Sequence, residues 1–285
     1  MSAESIRPGA VVIGPVAAPL RATPRFVLNE NDLAGSVNRL AVPIIAENLF
    51  QTMLGVVDLL MVSRLGAAAI AGVGTALQIM FLVMAALSAV TVGTTVLVAR
   101  FTGARQPEEA SHAAKQSLLL GLALAAIITV LGHFFSRGFI ALLGATPEVV
   151  QTGGDYLDVV AQMAVFLVLQ MVCAGALRGA GDTRTPMIVT GLVNIINVIV
   201  AYTLIFGHFG FPALGVLGSA WGASIARAIG AAVLLGLLFS GRRRVRIAGG
   251  AGWRPDGSLM KRVLKIGLPS MMEQTFMSGG SLVYA

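Results

Sequence analysis

Long apolar runs, broken by short groups of glycine, proline and charged residues, make up most of the chain from residue 39 onward. Most of the runs reach about 20 residues, the length that an α-helix needs to cross the hydrocarbon core of a bilayer. The pattern therefore predicts six membrane spans followed by a seventh apolar segment. The approximate bounds are 40–62, 70–99, 116–135, 149–177, 185–206 and 214–239 for the spans and 263–285 for the last segment.

Two of the breaks between spans have recognisable local chemistry. Residues 63–66, Ser-Arg-Leu-Gly, predict a tight turn between the first two spans. Thr146, Pro147 and Glu148 predict a helix start, with a hydroxyl cap, a proline in the first turn and an acid near the positive end of the helix dipole. Residues 100–115 are polar and predict a loop.

The composition indicates that these predicted helices belong to a membrane protein. Apolar residues make up 56% of the 285 residues and charged residues only 12%. Soluble domains have about 25% charged residues, so this chain lacks the charge to cover a water-facing surface. The predicted fold class is all-α, a polytopic membrane bundle. The single Cys173 lies in an apolar run and allows no intrachain disulfide.

The basic residues are distributed unevenly between the two sides of the predicted bundle. Seventeen of the 20 Lys and Arg residues fall in the N-terminal segment and in the loops after the second, fourth and sixth spans, whereas the opposite side has Arg64 and Arg137. Cytoplasmic loops carry the excess of Lys and Arg. We therefore predict a multi-pass protein of the inner (plasma) membrane with a cytoplasmic N-terminus. The net charge of +7 has no aromatic or helical binding face around it, so no nucleic-acid partner is predicted.

The first span and the seventh segment are similar in sequence. Residues 39–50 align without gaps to residues 265–276, so that a basic residue, a proline, a glutamate, an amide and a phenylalanine coincide. Ionisable residues are rare within spans, and a chance match of this kind is therefore improbable. We infer that a second structural copy begins near residue 261. Six crossings precede it, so both copies enter the membrane from the same side as a parallel repeat.

This repeat predicts the organisation of the chain. We expect a flexible cytoplasmic segment at residues 1–38 with an interfacial turn near 26–33, and a six-helix lobe at 39–240. A cytoplasmic loop between the lobes follows at 241–262, and 263–285 is the first helix of a second lobe. Because the seventh segment stops within an apolar run, we expect the remainder of the second lobe to be missing from this chain.

Several short motifs, in order, resemble those of the multidrug and toxic compound extrusion (MATE) transporters. They are AVP at 41–43, VDL at 57–59, RLG at 64–66, GTT at 93–95, ARFTG at 99–103, LRGAGDTRTP at 177–186, NIIN at 194–197 and GVLG at 215–218. The resemblance implies twelve helices in two six-helix lobes. It also implies an antiporter, not an enzyme, that exports organic, often cationic, compounds in exchange for H⁺ or Na⁺, with no cofactor beyond that ion. The implied partners are small organic substrates, the lipid bilayer and the second lobe.

Asp58 lies deep in the first span, where an unpaired carboxylate is costly, so it is expected to face the interior. Glu47 and Gln51 fall on the same stripe of that helix, and Asn194 and Asn197 form a polar stripe on the fifth span. Carboxylate and amide oxygens are ligands for a hard cation, or can instead share a proton.

The resemblance implies a cation or proton site on Asp58 and Asn197, which makes this pair the candidate Na⁺ site. Many members have a further Asp one turn beyond the Asn, where this chain has Ala201, so a complete Na⁺ site is in doubt. Ser219 or Ser224 of the sixth span are candidates for additional ligands.

Arg227, in the middle of the sixth span, has two interpretations: a counter-ion of Asp58, or a side chain whose stem packs along the bundle while its head reaches water, which we favour. Glu47 and Glu273 occupy equivalent positions in the repeat and either contact cationic substrate or a proton, or are satisfied at the interface. Pro43 and Pro269 mark either a hinge or a helix start.

Two other functions remain open from sequence. A lipid-linked sugar or polysaccharide flippase of the same broad fold is the main alternative, although it needs several cationic cavity residues and only Arg227 is deep in a span. A membrane enzyme is disfavoured because the sequence contains no nucleophile–base pair, metal-ligand cluster or phosphate loop.

Overall fold

The computed structural model describes residues 33–241, 245–249 and 252–283, and these residues form eight α-helices without a strand. The helices are α1 (Leu33–Ser63), α2 (Ala67–Gly103), α3 (Pro107–Leu142), α4 (Pro147–Gln162), α5 (Ala164–Gly179), α6 (Arg184–Phe206), α7 (Val216–Phe239) and α8 (Gly257–Val283). The predicted N-terminal segment lies outside the described residues up to residue 32, and residues 33–38 already belong to α1.

The structure confirms the all-α membrane bundle. Helices α1, α2, α3, α6 and α7 are each long and apolar enough to cross a membrane, and α4 and α5 together make a sixth, bent span. Helix α8 does not meet the same criterion over its described residues. With the bent pair counted as one span, the chain has six candidate crossings before α8. We call the end of the bundle where α1, α3, α6 and α8 begin the basic end.

The helices at the basic end are longer than the apolar runs. The predicted loop 100–115 is mostly helical, because α2 continues to Gly103 and α3 begins at Pro107. Proline is well placed at a helix start, and Glu108 and Glu109 favour the positive end of the dipole. Backbone hydrogen bonds continue beyond the apolar run, so hydropathy alone underestimates helix length. For the same reason α8 begins at Gly257 rather than at the predicted 263.

The predicted turn at 63–66 is confirmed, since α1 ends at Ser63 and α2 begins at Ala67. Gly66 has a φ of 108°, which residues with a Cβ rarely adopt. Helix α4 begins at Pro147 as predicted. Thr146 occupies the cap position, but its side chain makes no capping hydrogen bond, so the hydroxyl-cap prediction is wrong in that detail.

The predicted fourth span is not one helix. It breaks at Met163 into α4 and α5, whose axes differ by 54°. The break contains neither proline nor glycine, so nothing in the local sequence indicates it. The hydroxyl of Thr129 on α3 donates to the backbone oxygen of Ala161 at 2.9 Å, which satisfies a carbonyl next to the break. A neighbouring helix thus provides the hydrogen bond that the bent span needs.

Both prolines of the repeat lie inside helices, Pro43 in α1 and Pro269 in α8. The interpretation of the two prolines as helix-start residues is wrong, because α1 begins at Leu33 and α8 at Gly257. Each proline removes one backbone hydrogen bond from a helix interior. The hinge interpretation remains a prediction.

Helix α2 is central and packs against α3, α4, α5 and α8, whereas α6 and α7 form an antiparallel pair. Glycines bring the α6 and α7 backbones together. A Cβ at Gly222 would lie 2.7 Å from Ala201, and one at Gly218 2.6 Å from the backbone nitrogen of Ile205. Helices in a membrane are held by such close contacts, since hydrocarbon gives no hydrophobic force between them.

We expect Gly222→Ala to lower the free energy of unfolding by about 1–3 kcal/mol, because the added methyl group forces α7 away from α6. The fluorescence of the adjacent Trp221 in a denaturant titration measures the change. Gly236→Ala is the matched control on the same helix, because a Cβ there meets nothing within 4 Å. Equal effects of the two substitutions would contradict the packing argument.

Candidate functional site

Asp58 of α1 and Asn197 of α6 meet inside the helix bundle. The Asn197 Nδ2 donates to both carboxylate oxygens of Asp58, at 3.4 Å to Oδ1 and 3.2 Å to Oδ2. Asn197 is buried and Asp58 is half-buried. The resemblance to the MATE family implied these two side chains as a pair, and the structure brings them together across 139 residues of chain.

The amide oxygen of Asn197 is buried and has no hydrogen-bond partner among the described residues. Buried polar atoms are nearly always satisfied, so this oxygen is available to a proton donor or a cation. The terminal torsion of an asparagine is broad, and a half-turn presents this oxygen, instead of the NH₂ group, to Asp58. A protonated Asp58 could then donate to it, or a cation could lie between the two.

The candidate additional ligands are placed less favourably. Helices α6 and α7 have a consistent register, in which Gly222 meets Ala201 and Gly218 meets Ile205. Ser219 is therefore level with residue 204, roughly two helical turns from Asn197 along the axis. Its hydroxyl is buried and unpartnered within the described chain, whereas the Ser224 hydroxyl donates to the backbone oxygen of Ala220.

Two predicted members of the polar stripes do not face the pair. Asn194 donates to the backbone oxygen of Phe50 at 2.6 Å, so its amide ties α6 to α1 instead of facing Asp58. Gln51 is exposed on the surface of α1, so Glu47, Gln51 and Asp58 do not share one environment. The helical period predicts which residues of one helix share a stripe. Which of those residues are covered depends on how α6 packs over α1.

Arg227 is at the same depth as the Asp58–Asn197 pair. A Cβ at Gly230 would contact Val193, which extends the α6–α7 register and makes Arg227 level with residue 196. The side chain is half-buried. The choice between a counter-ion of Asp58 and a side chain whose head reaches water stays a prediction.

Tyr156 was missed by sequence reasoning. It is 6% exposed, in the half of the fourth span that precedes the unexpected break. Tyr156 lies between Asp155 and Asp158, and a tyrosine in such a segment carries no signal of its role. The side-chain oxygen of Gln170 on α5 is also buried without a described partner. Polar groups from five helices thus face the interior of this lobe.

Glu47 is part of a separate ion pair at the basic end. Nη1 of Arg178, at the end of α5, donates to both carboxylate oxygens of Glu47 at 2.9 and 3.0 Å. The Thr190 hydroxyl of α6 donates to the same carboxylate at 3.3 Å, and Glu47 is 3% exposed. This carboxylate therefore joins α1 to two helices and is shielded from solvent. Glu273, its counterpart in the repeat, is exposed and has no partner among the described residues.

Comparison with known proteins identifies the family. The MatE family model matches residues 43–203, more than half of the chain, and this range includes both Asp58 and Asn197. The chain belongs to the MATE family. The resemblance inferred from the motifs is thereby confirmed, and the relatives of this MATE chain are transporters rather than enzymes.

Two relatives are named probable multidrug resistance protein NorM. The protein from Thermotoga maritima is 33% identical over 247 residues, covering 87% of this chain and 53% of its own length. The protein from Rhizobium meliloti is 29% identical over 265 residues, covering 88% and 55%. This MATE chain therefore spans about half the length of the curated relatives that it matches.

Solved structures agree with the family. The outward-facing structure of a multidrug resistance MATE family transporter of the MOP superfamily is 29% identical, with a TM-score of 0.78 over 84% of this chain and 52% of that one. A MOP superfamily transporter from Pyrococcus furiosus, described as having a binding pocket of reversed polarity, is also 29% identical with a TM-score of 0.77 and the same coverage.

Arg178→Ala is expected to lower the free energy of unfolding by about 3–5 kcal/mol, because it leaves the buried Glu47 carboxylate without its counter-charge. The double variant Glu47→Gln/Arg178→Ala should regain most of the loss. A denaturant titration followed by tryptophan fluorescence measures both. Arg184→Ala is the matched control, since Arg184 is exposed at the same end of the bundle. If Arg178→Ala is no worse than this control, the ion pair does not hold α1.

Proposed function

We propose that this chain is the first lobe, with the first helix of the second, of a secondary active antiporter that exports organic, often cationic, compounds by alternating access. Family membership and the NorM relatives support an export function. The carrying observation is the Asp58–Asn197 pair, in which a carboxylate within a span faces an amide whose oxygen is unsatisfied. The side of the membrane follows from the arginine distribution, and we propose a cytoplasmic basic end.

The coupling ion binds at the pair in this proposal. An ionised Asp58 is costly inside the membrane, and neutralising it by a proton or a cation changes the relative stability of the two access states. Asn197 stabilises either form, since its NH₂ group donates to a carboxylate and its oxygen accepts from a carboxylic acid. The ion therefore acts as a ligand that shifts a conformational equilibrium.

We propose that this ion is H⁺. Hard cations held by proteins take about six or more oxygen ligands, and Asp58 and Asn197 together supply few. Ala201, where many members of the family have an acid, is fully buried against Gly222 and adds none. Arg227 at the same depth adds a positive charge that disfavours a second cation. A proton needs only one acceptor and one hydrogen-bond partner.

Asp58→Asn in the full-length protein is expected to abolish coupling, because the variant cannot change its charge. A coupling energy of about 1–3 kcal/mol corresponds to an effect of about 5–150-fold, so gradient-driven efflux of a cationic dye should fall by about that factor. Glu109→Gln, an exposed acid at the start of α3, is the control and should export normally. Unchanged gradient-driven efflux by Asp58→Asn removes this carboxylate from the mechanism.

A second experiment distinguishes the two ions. In proteoliposomes of the full-length protein, an imposed pH gradient is expected to drive dye transport, whereas a Na⁺ gradient at equal pH on both sides is not. The time course of dye fluorescence gives the rate in each case, with protein-free liposomes as the control. Transport driven by Na⁺ alone would show that further ligands complete a cation site around Asp58 and Asn197.

A further inference from the structure

The connection between α7 and α8 is bound to the side of the first lobe. We call its described residues, 245–249 and 252–256, the strap. Gln116 of α3 is fully buried and binds the strap backbone three times: its Nε2 donates to the oxygens of Gly252 at 2.9 Å and Arg254 at 2.8 Å, and its Oε1 accepts from the nitrogen of Asp256 at 2.9 Å. Every hydrogen-bonding function of one side chain is thus directed at the strap.

Neighbours of Gln116 on α3 hold the rest of the strap. The nitrogen of Arg246 donates to the Ser111 hydroxyl at 3.1 Å, and Lys115 Nζ donates to the oxygen of Gly249 at 3.3 Å. The Lys115 ammonium group also lies 5.8 Å from the centre of the Trp253 ring. A cation over an indole face is attracted by the ring. Val245 and Ile247 are fully buried in the main hydrophobic core, so the strap is anchored by apolar contacts as well.

The strap passes directly into α8. Asp256 caps this helix, because its Oδ1 accepts from the nitrogens of Ser258 at 2.9 Å and Leu259 at 3.2 Å. A hydrogen bond from the Ser258 hydroxyl, which has the largest effect, and the bonds from these two nitrogens hold the pKa of Asp256 below its usual range. The carboxylate also lies 3.7 Å from His112 of α3. The beginning of α8 is therefore fixed to the same helix as the strap.

The first part of α8 then packs closely along α2. A Cβ at Gly93 of α2 would collide with the backbone oxygen of Val263, and one at Gly267 would collide with that of Ala89. Leu259 and Val263 belong to the core of the first lobe. Beyond Gly267, α8 has an exposed apolar face, on which Leu268, Met272 and Phe276 are exposed by 48%, 50% and 74%.

Pro269 lies two residues beyond Gly267, the last described glycine at which α8 closely approaches α2. It is exposed and removes the backbone hydrogen bond to the oxygen of residue 265. Before the proline α8 is held against α2 at Val263 and Gly267, and beyond it Met272 and Phe276 are exposed. A bend at this position costs less than at any point where glycines hold α8 against α2.

We propose that the strap and residues 257–267 of α8 move with the first lobe as one rigid body, locked by Gln116, and that the second lobe moves by bending α8 at Pro269. The proposal rests on the proposed two-lobe exchange between access states. It assigns the first part of the seventh helix, which the repeat places in the second lobe, to the first lobe in mechanical terms. Gln116 acts as a positioning residue that determines where the moving part begins.

Hydrogen–deuterium exchange of the purified protein tests the docking without reference to transport. Amides of the strap are expected to be protected, and Gln116→Leu, which keeps the volume but loses three hydrogen bonds, should speed their exchange by about tenfold or more. Gln106→Leu is the matched control, since Gln106 is an exposed glutamine just before α3. Ser111→Ala, a milder change, should act mainly at Arg246. A wild-type strap that exchanges like an unstructured peptide, or no effect of Gln116→Leu, overturns the proposal.

Distance measurements test the rigid body in the full-length protein. With Cys173→Ala as background, spin labels at Glu109→Cys and Arg254→Cys are expected to give one narrow distance that stays unchanged when pH and substrate shift the access state. Labels at Glu109→Cys and Phe276→Cys, beyond the proline, should give a distance that changes. A changing first distance, or a constant second one in a protein that transports, shows that the bend lies elsewhere.

The two proposals fail in distinguishable ways. If the full-length protein shows no gradient-driven export while the strap amides remain protected, the proposed function fails and the docking stands. If export is normal and the strap exchanges freely, only the docking proposal fails. Gln116→Leu should also slow export without altering which ion gradient drives it, because Gln116 lies near the basic end of α3, whereas Asp58 lies near the opposite end of α1.

Discussion

Hydrocarbon offers no hydrogen-bond partner, and every polar group that enters it must find one within the protein. The bent span shows this constraint directly, since the carbonyl of Ala161 beside the break is bound by a hydroxyl from α3. The same constraint explains why Glu47 has its guanidinium partner and why Asp58 has an amide. The Asn197 oxygen is one of a few buried side-chain oxygens without a partner among the described residues, and its place beside Asp58 makes it informative.

Two kinds of contact hold the helices of the lobe together. Pairs such as α6 with α7 and α2 with α8 approach so closely at glycine that a single methyl group would separate them. Helix α1 is attached differently. Asn194 binds Phe50, Asn197 binds Asp58 and Arg178 binds Glu47, so polar side chains hold α1. A close contact at a glycine is lost when the helices move apart, whereas polar side chains can exchange hydrogen-bond partners on protonation. The helix that carries Asp58, the carboxylate proposed to bind the coupling ion, is thus held by contacts that can rearrange.

The two helices related by the sequence repeat, α1 and α8, lie in different surroundings. Helices α1 and α8 share a proline and a glutamate at matching positions, yet their surroundings differ: Glu47 is buried in an ion pair, and Glu273 is exposed. The chain spans about half the length of its MATE relatives. Helix α8 is the element through which a second lobe would be joined to the first, and its first part is already packed into the core of the first lobe.

Local features of the sequence determined the membrane bundle, its number of spans, the tight turn at 63–66 and the pair of prolines, because the length and period of apolar runs are properties of neighbouring residues. Asp58 was also found from sequence, since carboxylates within spans are rare, whereas Asn197 as its partner was implied by the resemblance to the MATE family. Tertiary structure alone decided the rest. The partner of Glu47 lies 131 residues away, Gln116 meets a segment 136–140 residues further on, and the break at Met163 is supported by another helix. These contacts depend on how helices are placed against each other, which no local pattern encodes.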